Sequence, residues 1–138
     1  MSPDCSNELL AAVRTRLLAE PAVSAIVGTR VFDRPDMGVD FPWLQIGETL
    51  IQPFEAHCVT GASIFFTLHG WGRDGHAGDT MRALGAAVYA SLHAKRFPLP
   101  GPYALQLIEH QSTQVLRDPD GTTRHLVTDY RADTTADL

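Results

Sequence analysis

The chain of 138 residues has little of what most function classes require. Its two cysteines, Cys5 and Cys58, allow at most one disulfide. Nothing else in the sequence points to an oxidising compartment, so both thiols are expected to stay free. The strongest apolar run, Ile64–Leu68, falls far short of the roughly 20 residues of a membrane-spanning helix. Basic residues number 11 against 16 acidic ones, for a net charge of −5, and the arginines are scattered. The basic stripe of a general nucleic-acid binder is therefore missing. Met1-Ser2-Pro3-Asp4 has neither a basic n-region nor an apolar h-region. A signal peptide is not expected, and synthesis and folding in a cytoplasm are.

Catalytic and metal signatures are also scarce. The six histidines are His57, His69, His76, His93, His110 and His125, and none stands in an H-E-x-x-H or facial-triad pattern. Each reads as a surface or half-buried polar residue. Ser63, between Ala62 and Ile64, does not stand in a G-x-S-x-G nucleophile elbow. Asp118 with Asp120, and Asp36 with Asp40, read as turn and loop carboxylates rather than acid/base pairs. The best enzyme-like lead is Gly70-Trp71-Gly72-Arg73-Asp74-Gly75, which matches G-x-G-x-x-G between a strand and a helix. Bulky Trp71 and acidic Asp74 argue against phosphate there, and a mobile connector accounts for the glycines. No catalysis, no cofactor and no metal are expected.

What is present is a packed globular composition, 44% hydrophobic and 20% charged, at a length that suits one domain over residues 1–138. Leu9, Val13 and Leu17 recur every fourth residue and predict an amphipathic helix capped by Ser6 or Asn7. Pro21 ends it and opens a short helix over Ala22–Val27, which Gly28 terminates. Val31–Phe32 reads as a short strand and Asp33–Asp40 as a loop. A strand follows over Trp43–Ile51, entered through Phe41-Pro42, with Leu44, Ile46 and Leu50 on one face. Pro53–Gly61 reads as a second loop or a frayed strand end.

Ser63–Trp71 is the strongest strand, apolar on both faces: Ile64, Phe66 and Leu68 on one, Phe65 and Trp71 on the other. Such a strand is central, or its second face meets another subunit. Met81, Leu84, Val88 and Leu92 predict a second long helix, kept slim by Gly85, Ala86, Ala87 and Ala90, with Lys95 and Arg96 near its negative end. Tyr103–Leu116 and Thr123–Ala132 form a hairpin around the turn Asp118-Pro119-Asp120-Gly121, with Thr134–Leu138 a loose tail. The fold class is α+β: a small antiparallel sheet, two main helices on one side, and a C-terminal β-hairpin.

The order of these pieces, from Leu9–Leu18 through Gly28–Phe32, Phe41–Gly47, Ile64–Trp71 and Met81–Leu92 to Leu116–Tyr130, resembles the tail-completion, or tail-terminator, proteins of long-tailed phages and phage-derived gene transfer agents. The likeness covers nearly the whole chain. It implies a structural virion protein in the tail of a phage-like particle, made in the cytoplasm of a bacterial host. Such a protein forms a homohexameric ring on the head-proximal end of the tail tube, stops tube polymerisation and joins the head–tail connector. Partners would be the tail tube protein and the connector, with DNA passing through the ring without tight binding. The resemblance transfers no functional residues one by one. Contact candidates come from exposure: Arg34, Asp36 and Met37 in the first loop; Phe54 and Glu55 in Gln52–Val59; Phe65 on the strongest strand; Arg117 and Asp120 at the hairpin tip. The alternative is a small ligand-binding domain or enzyme with its site near Gly70–Gly75, in the His69–His76 stretch.

Overall fold

A computed structural model describes residues 2–138. Helix α1 spans Ser6–Ala19 and buries Leu9, Val13 and Leu17, the stripe the four-residue spacing marks. Its start differs from expectation. Neither Ser6 nor Asn7 caps it; the Asp4 carboxylate accepts the Ser6 N–H at 2.9 Å. Helix α2, Pro21–Val27, has proline in its first turn and ends at Gly28 with φ 60°. That left-handed value is cheap only for glycine.

Strand β1, Val31–Phe32, runs parallel to the start of β2, Trp43–Ala56. The peptide bond Phe41–Pro42 is cis. Strand β3 spans Val59–Arg73, helix α3 Ala77–Leu92, β4 Tyr103–Arg117 and β5 Thr123–Ala136. The sheet order is β1-β2-β3-β5-β4, antiparallel except for the β1–β2 pair. β3 is thus the central strand, as its two apolar faces require. The helices lie against one face. Leu44, Ile46, Ile64, Phe66, Leu68, Leu126, Tyr130 and Ala132 are buried with the apolar stripes of α1 and α3. The Arg14 Nε–H donates to the Val31 carbonyl and the Arg16 Nε–H to the Ser91 carbonyl, tying α1 to its neighbours.

Four local readings are corrected. β2 does not stop at Ile51. It continues to Ala56, and His57-Cys58, both at positive φ, make a tight turn into β3, so Gln52–Val59 is a hairpin arm rather than a loop. A bulge between Ile46 and Thr49 reverses the facing of β2. Leu50, expected beside Leu44 and Ile46, therefore lies opposite Phe65 and is 56% exposed. The C-terminal stretch is no loose tail: β5 pairs through Ala136, burying Thr134. Lys95 and Arg96 lie beyond the end of α3, whose last turn holds no basic residue.

The glycines of Gly70–Gly75 also have a different use. Gly70 and Gly72 are buried within β3 under α3. A Cβ at Gly70 would stand 3.1 Å from the Leu126 Cβ and 3.2 Å from Leu84. A Cβ at Gly72 would stand 3.1 Å from the Met81 Cε. They let the helix approach the sheet closely.

Candidate functional site

Among the described residues, no helix covers the second face of the sheet. Strand alternation puts Phe65, Thr67, His69 and Trp71 of β3 there, beside His125, Asp129, Arg131 and Asp133 of β5. All eight are half-buried. Polar pairs knit the strands: Ser63 donates to Asp133 at 2.7 Å, and Thr67 and Ser112 donate to Asp129 at 2.5 and 2.9 Å. Arg131 forms an ion pair with Asp133 at 3.0 Å and lies over the Phe65 ring. A shallow groove of about 300 Å³ is lined by Glu48, Leu50, Phe65, Thr67, Gln111 and Asp129.

One row of this face is aromatic. Trp43 stacks on Trp71 with centroids 5.7 Å apart, and His125 stands close on the other side of Trp71. The His69 ring adjoins His125, with its Nδ1 2.7 Å from His125 Nε2. The other nitrogen of His69, Nε2, lies 2.5 Å from a Glu48 carboxylate oxygen. The β2 bulge positions this contact. Gly47 is where a Cβ would strike the His69 ring, so its lack of a side chain leaves room for the imidazole. Burial, then the neighbouring charge of His69, pushes the His125 pKa down, against the smaller pull of Asp118 and Glu48. Glu48 is held below the usual carboxylate range by its own backbone N–H and then by His69.

This row offers imidazole nitrogens and a carboxylate as hydrogen-bond donors and acceptors. Among the described residues, no three His, Cys, Asp or Glu side chains are placed to hold a metal ion. The G-x-G-x-x-G lead loses its chemistry as well. Two of its glycines are packed under α3, and the Asp74 carboxylate accepts the His76 N–H at 2.7 Å, occupying the helix start that a phosphate would need. Cys5 is buried and Cys58 exposed, both free. Burial pushes the Cys5 thiol up.

The sheet has two ends, and the contact candidates divide between them. At one end lie the β2–β3 turn and the end of β5, and there Phe54 is half-buried and Glu55 exposed. At the other, Arg117 and Asp120 flank the β4–β5 turn. Arg73 joins that turn to the first loop. Its Nε–H donates to Thr123 Oγ1 at 3.0 Å, its guanidinium lies over the Phe41 ring, and an NH2 stands 3.8 Å from Asp120. Arg34, Asp36 and Met37 are exposed in the first loop. Phe65 sits in the middle of the open face. The candidates therefore form no single cluster.

Sequence reasoning gave Glu48 and His125 no role, and named His69 only as one bound of the alternative His69–His76 stretch. The available signal was parity: His69 shares its strand face with Trp71 and Phe65. The partner on β5 depends on a register that the sequence does not display.

A family model for tail completion protein gp17 matches residues 11–135. No curated protein matches the chain significantly. Among solved structures, a chain in "Virion of native gene transfer agent (GTA) particle" is similar over 95% of this chain and 97% of its own, with a TM-score of 0.85 and 22% identity. The chain of "Structure of bacteriophage SPP1 gp17 protein" is similar over 92% and 88%, with a TM-score of 0.60 and 24% identity. At these identities the two structures establish the shared fold, while the family match spans most of the sequence. The chain belongs to the tail completion protein gp17 family.

Proposed function

We propose that this protein is a structural component of the tail of a phage or gene transfer agent particle and acts without catalysis. Six copies form a ring on the head-proximal end of the tail tube. The ring stops tube polymerisation and offers its other side to the head–tail connector, while DNA passes through its centre. The observation that carries this reading is the family match over residues 11–135.

The uncovered sheet face supports it. Leu50 on β2 and Leu107 and Leu116 on β4 are exposed apolar residues at opposite edges of that face. β1 covers only Leu44 and Gln45, leaving the rest of β2 as a second open edge. Two different edges on one subunit suit a head-to-tail contact, the type that closes into rings. The proposed contact residues are Arg34, Asp36, Met37, Phe54, Glu55, Phe65, Arg117 and Asp120, joined by Leu50. Imaging of the parent particle, with sedimentation of the protein alone and with tail tubes, tests the proposal. Six copies at the tube end support it. A single copy, or a symmetry unlike that of the tube, refutes it.

A further inference from the structure

We propose that Glu48, His69 and His125 form a proton relay on the open sheet face that stays intact with one added proton and opens with a second. The inference stands on geometry and does not depend on the assembly reading.

His69 uses both ring nitrogens, Nε2 toward Glu48 and Nδ1 toward His125 Nε2. With Glu48 ionised and both rings neutral, the pattern has one solution. His69 Nε2–H donates to Glu48, so His69 Nδ1 must accept, and His125 Nε2–H donates to it. One added proton leaves solutions that differ by a hop across the 2.7 Å contact, and direct contact with the Glu48 carboxylate favours the one that puts the charge on His69. His69 then carries hydrogens on both nitrogens, donating to Glu48 and to His125 Nε2, and His125 holds its own hydrogen on Nδ1. The proton changes the His125 tautomer and keeps every contact. A second proton on the imidazoles leaves no solution. Both nitrogens of the 2.7 Å contact would then carry hydrogen, and two cations would face each other at that separation.

The surroundings reinforce this three-state behaviour. Besides His69, the charged groups bearing on His125 are Asp118 from the β4–β5 turn and Glu48 from β2. β3 contributes Trp71, against which His125 lies, and β4 presents uncharged Leu116 opposite His125. One carboxylate in direct contact balances one imidazolium and not two. Burial and His69 push His125 down, as a costly second proton requires. Gly47 supplies an independent sign that the arrangement is built, because any side chain there would collide with the His69 ring. Opening the relay frees Glu48 and removes His125 from its stack on Trp71.

Residue-resolved NMR of the histidine ring nitrogens in the full chain, from pH 8 to pH 4, tests this. The expected result is two separated steps shared by His69 and His125. The upper step should convert His125 from the Nε2–H to the Nδ1–H tautomer. The lower should coincide with loss of the Trp71 ring-current shift on His125. Glu48→Gln should move the upper step to lower pH, and His125→Phe should leave His69 with a single step. Independent titration of the two rings, an unchanged His125 tautomer, or an upper step unmoved in Glu48→Gln would overturn the proposal. If His125→Phe fails to fold, the wild type and Glu48→Gln still decide.

Discussion

The Trp71 indole and the His125 imidazole lie face to face, with centroids 3.8 Å apart and planes 9° from parallel. The contact joins β3 to β5 across 54 residues of sequence, at paired positions in the ladder. It shows that the uncovered face of the sheet is ordered by its own side chains. Substitutions on the two faces should therefore differ in kind, the helix side governing folding and the open side governing contacts and protonation.

Phe66→Asp or Leu68→Asp should abolish soluble expression. Phe66 stacks on Tyr130 with centroids 5.7 Å apart, and Leu68 has no exposed surface. An unpaired buried charge costs several kcal/mol, roughly the whole stability of a small domain. Thermal melting of any soluble product checks this, and unchanged melting temperatures for both variants would contradict the burial of β3.

Gly70→Ala should destabilise the fold by about 1–3 kcal/mol, the usual range for overpacking. Its new methyl meets the Leu126 Cβ, which cannot rotate away. Gly75→Ala should be close to neutral, since nothing lies within 4 Å of its Cβ position and its φ is not positive. Urea unfolding of the two variants side by side makes the comparison. Equal effects would mean that the glycines serve the connector rather than the helix–sheet contact.

Asp120→Ala should lower the melting temperature at neutral pH and flatten the acid limb of the stability curve. The Thr123 hydroxyl and the Thr123 and Thr122 N–H groups donate to this carboxylate and hold its pKa at about 2, below the ordinary 3.8. The pKa is depressed in the folded state. The stabilisation is thus present above the unfolded value and is lost as pH falls through about 2. Melting curves from pH 7 to pH 2 measure it. A parallel offset between wild type and variant at every pH would rule out the carboxylate as its source.

Arg34→Glu with Asp36→Lys should leave the protein folded and impair tail assembly. Both residues are exposed in the first loop, where charge pairs contribute about 0–1 kcal/mol to folding yet can set the register of an interface. Circular dichroism controls for the fold, and particle yield and tail length give the result. Normal particles would remove this loop from the contact surface.

The free protein should not bind DNA tightly. Affinity for DNA comes largely from Lys and Arg neutralising phosphates, and acidic residues outnumber basic ones here, 16 to 11. A low-salt gel-shift titration is the check; micromolar binding that weakens steeply with salt would show that a few arginines, such as Arg117 and Arg124, engage the backbone.

Elements whose packing is local were legible in the sequence. The Leu9, Val13 and Leu17 stripe, the proline start of α2, the two-faced β3 and the Pro119–Gly121 turn each declare themselves within a few residues. What was hidden depends on register. The β2 bulge moves Leu50 to the other face without any unusual residue type except Gly47, and glycine there reads equally well as plain strand. β5 continues through Thr134 because Ala62 and Leu105 stand beside it, and polar Asp133, Thr134 and Thr135 look like a tail until those neighbours are known. The Glu48–His69–His125 row required three strands to be aligned at once, so each histidine taken alone looked ordinary.

Ser2 and Asp137 lie at the same edge of the molecule. The Tyr103 hydroxyl donates to the Ser2 carbonyl at 2.9 Å, and the Asp137 N–H donates to the Pro102 carbonyl at 2.9 Å. The β2–β3 turn at His57-Cys58 lies there too, through the pairing of Thr60 with Ala136. An affinity tag or fluorescent fusion on either terminus would therefore crowd that one pole and leave the Arg73–Asp120 pole clear. Which partner such a fusion blocks would reveal how the subunit is oriented along the particle axis.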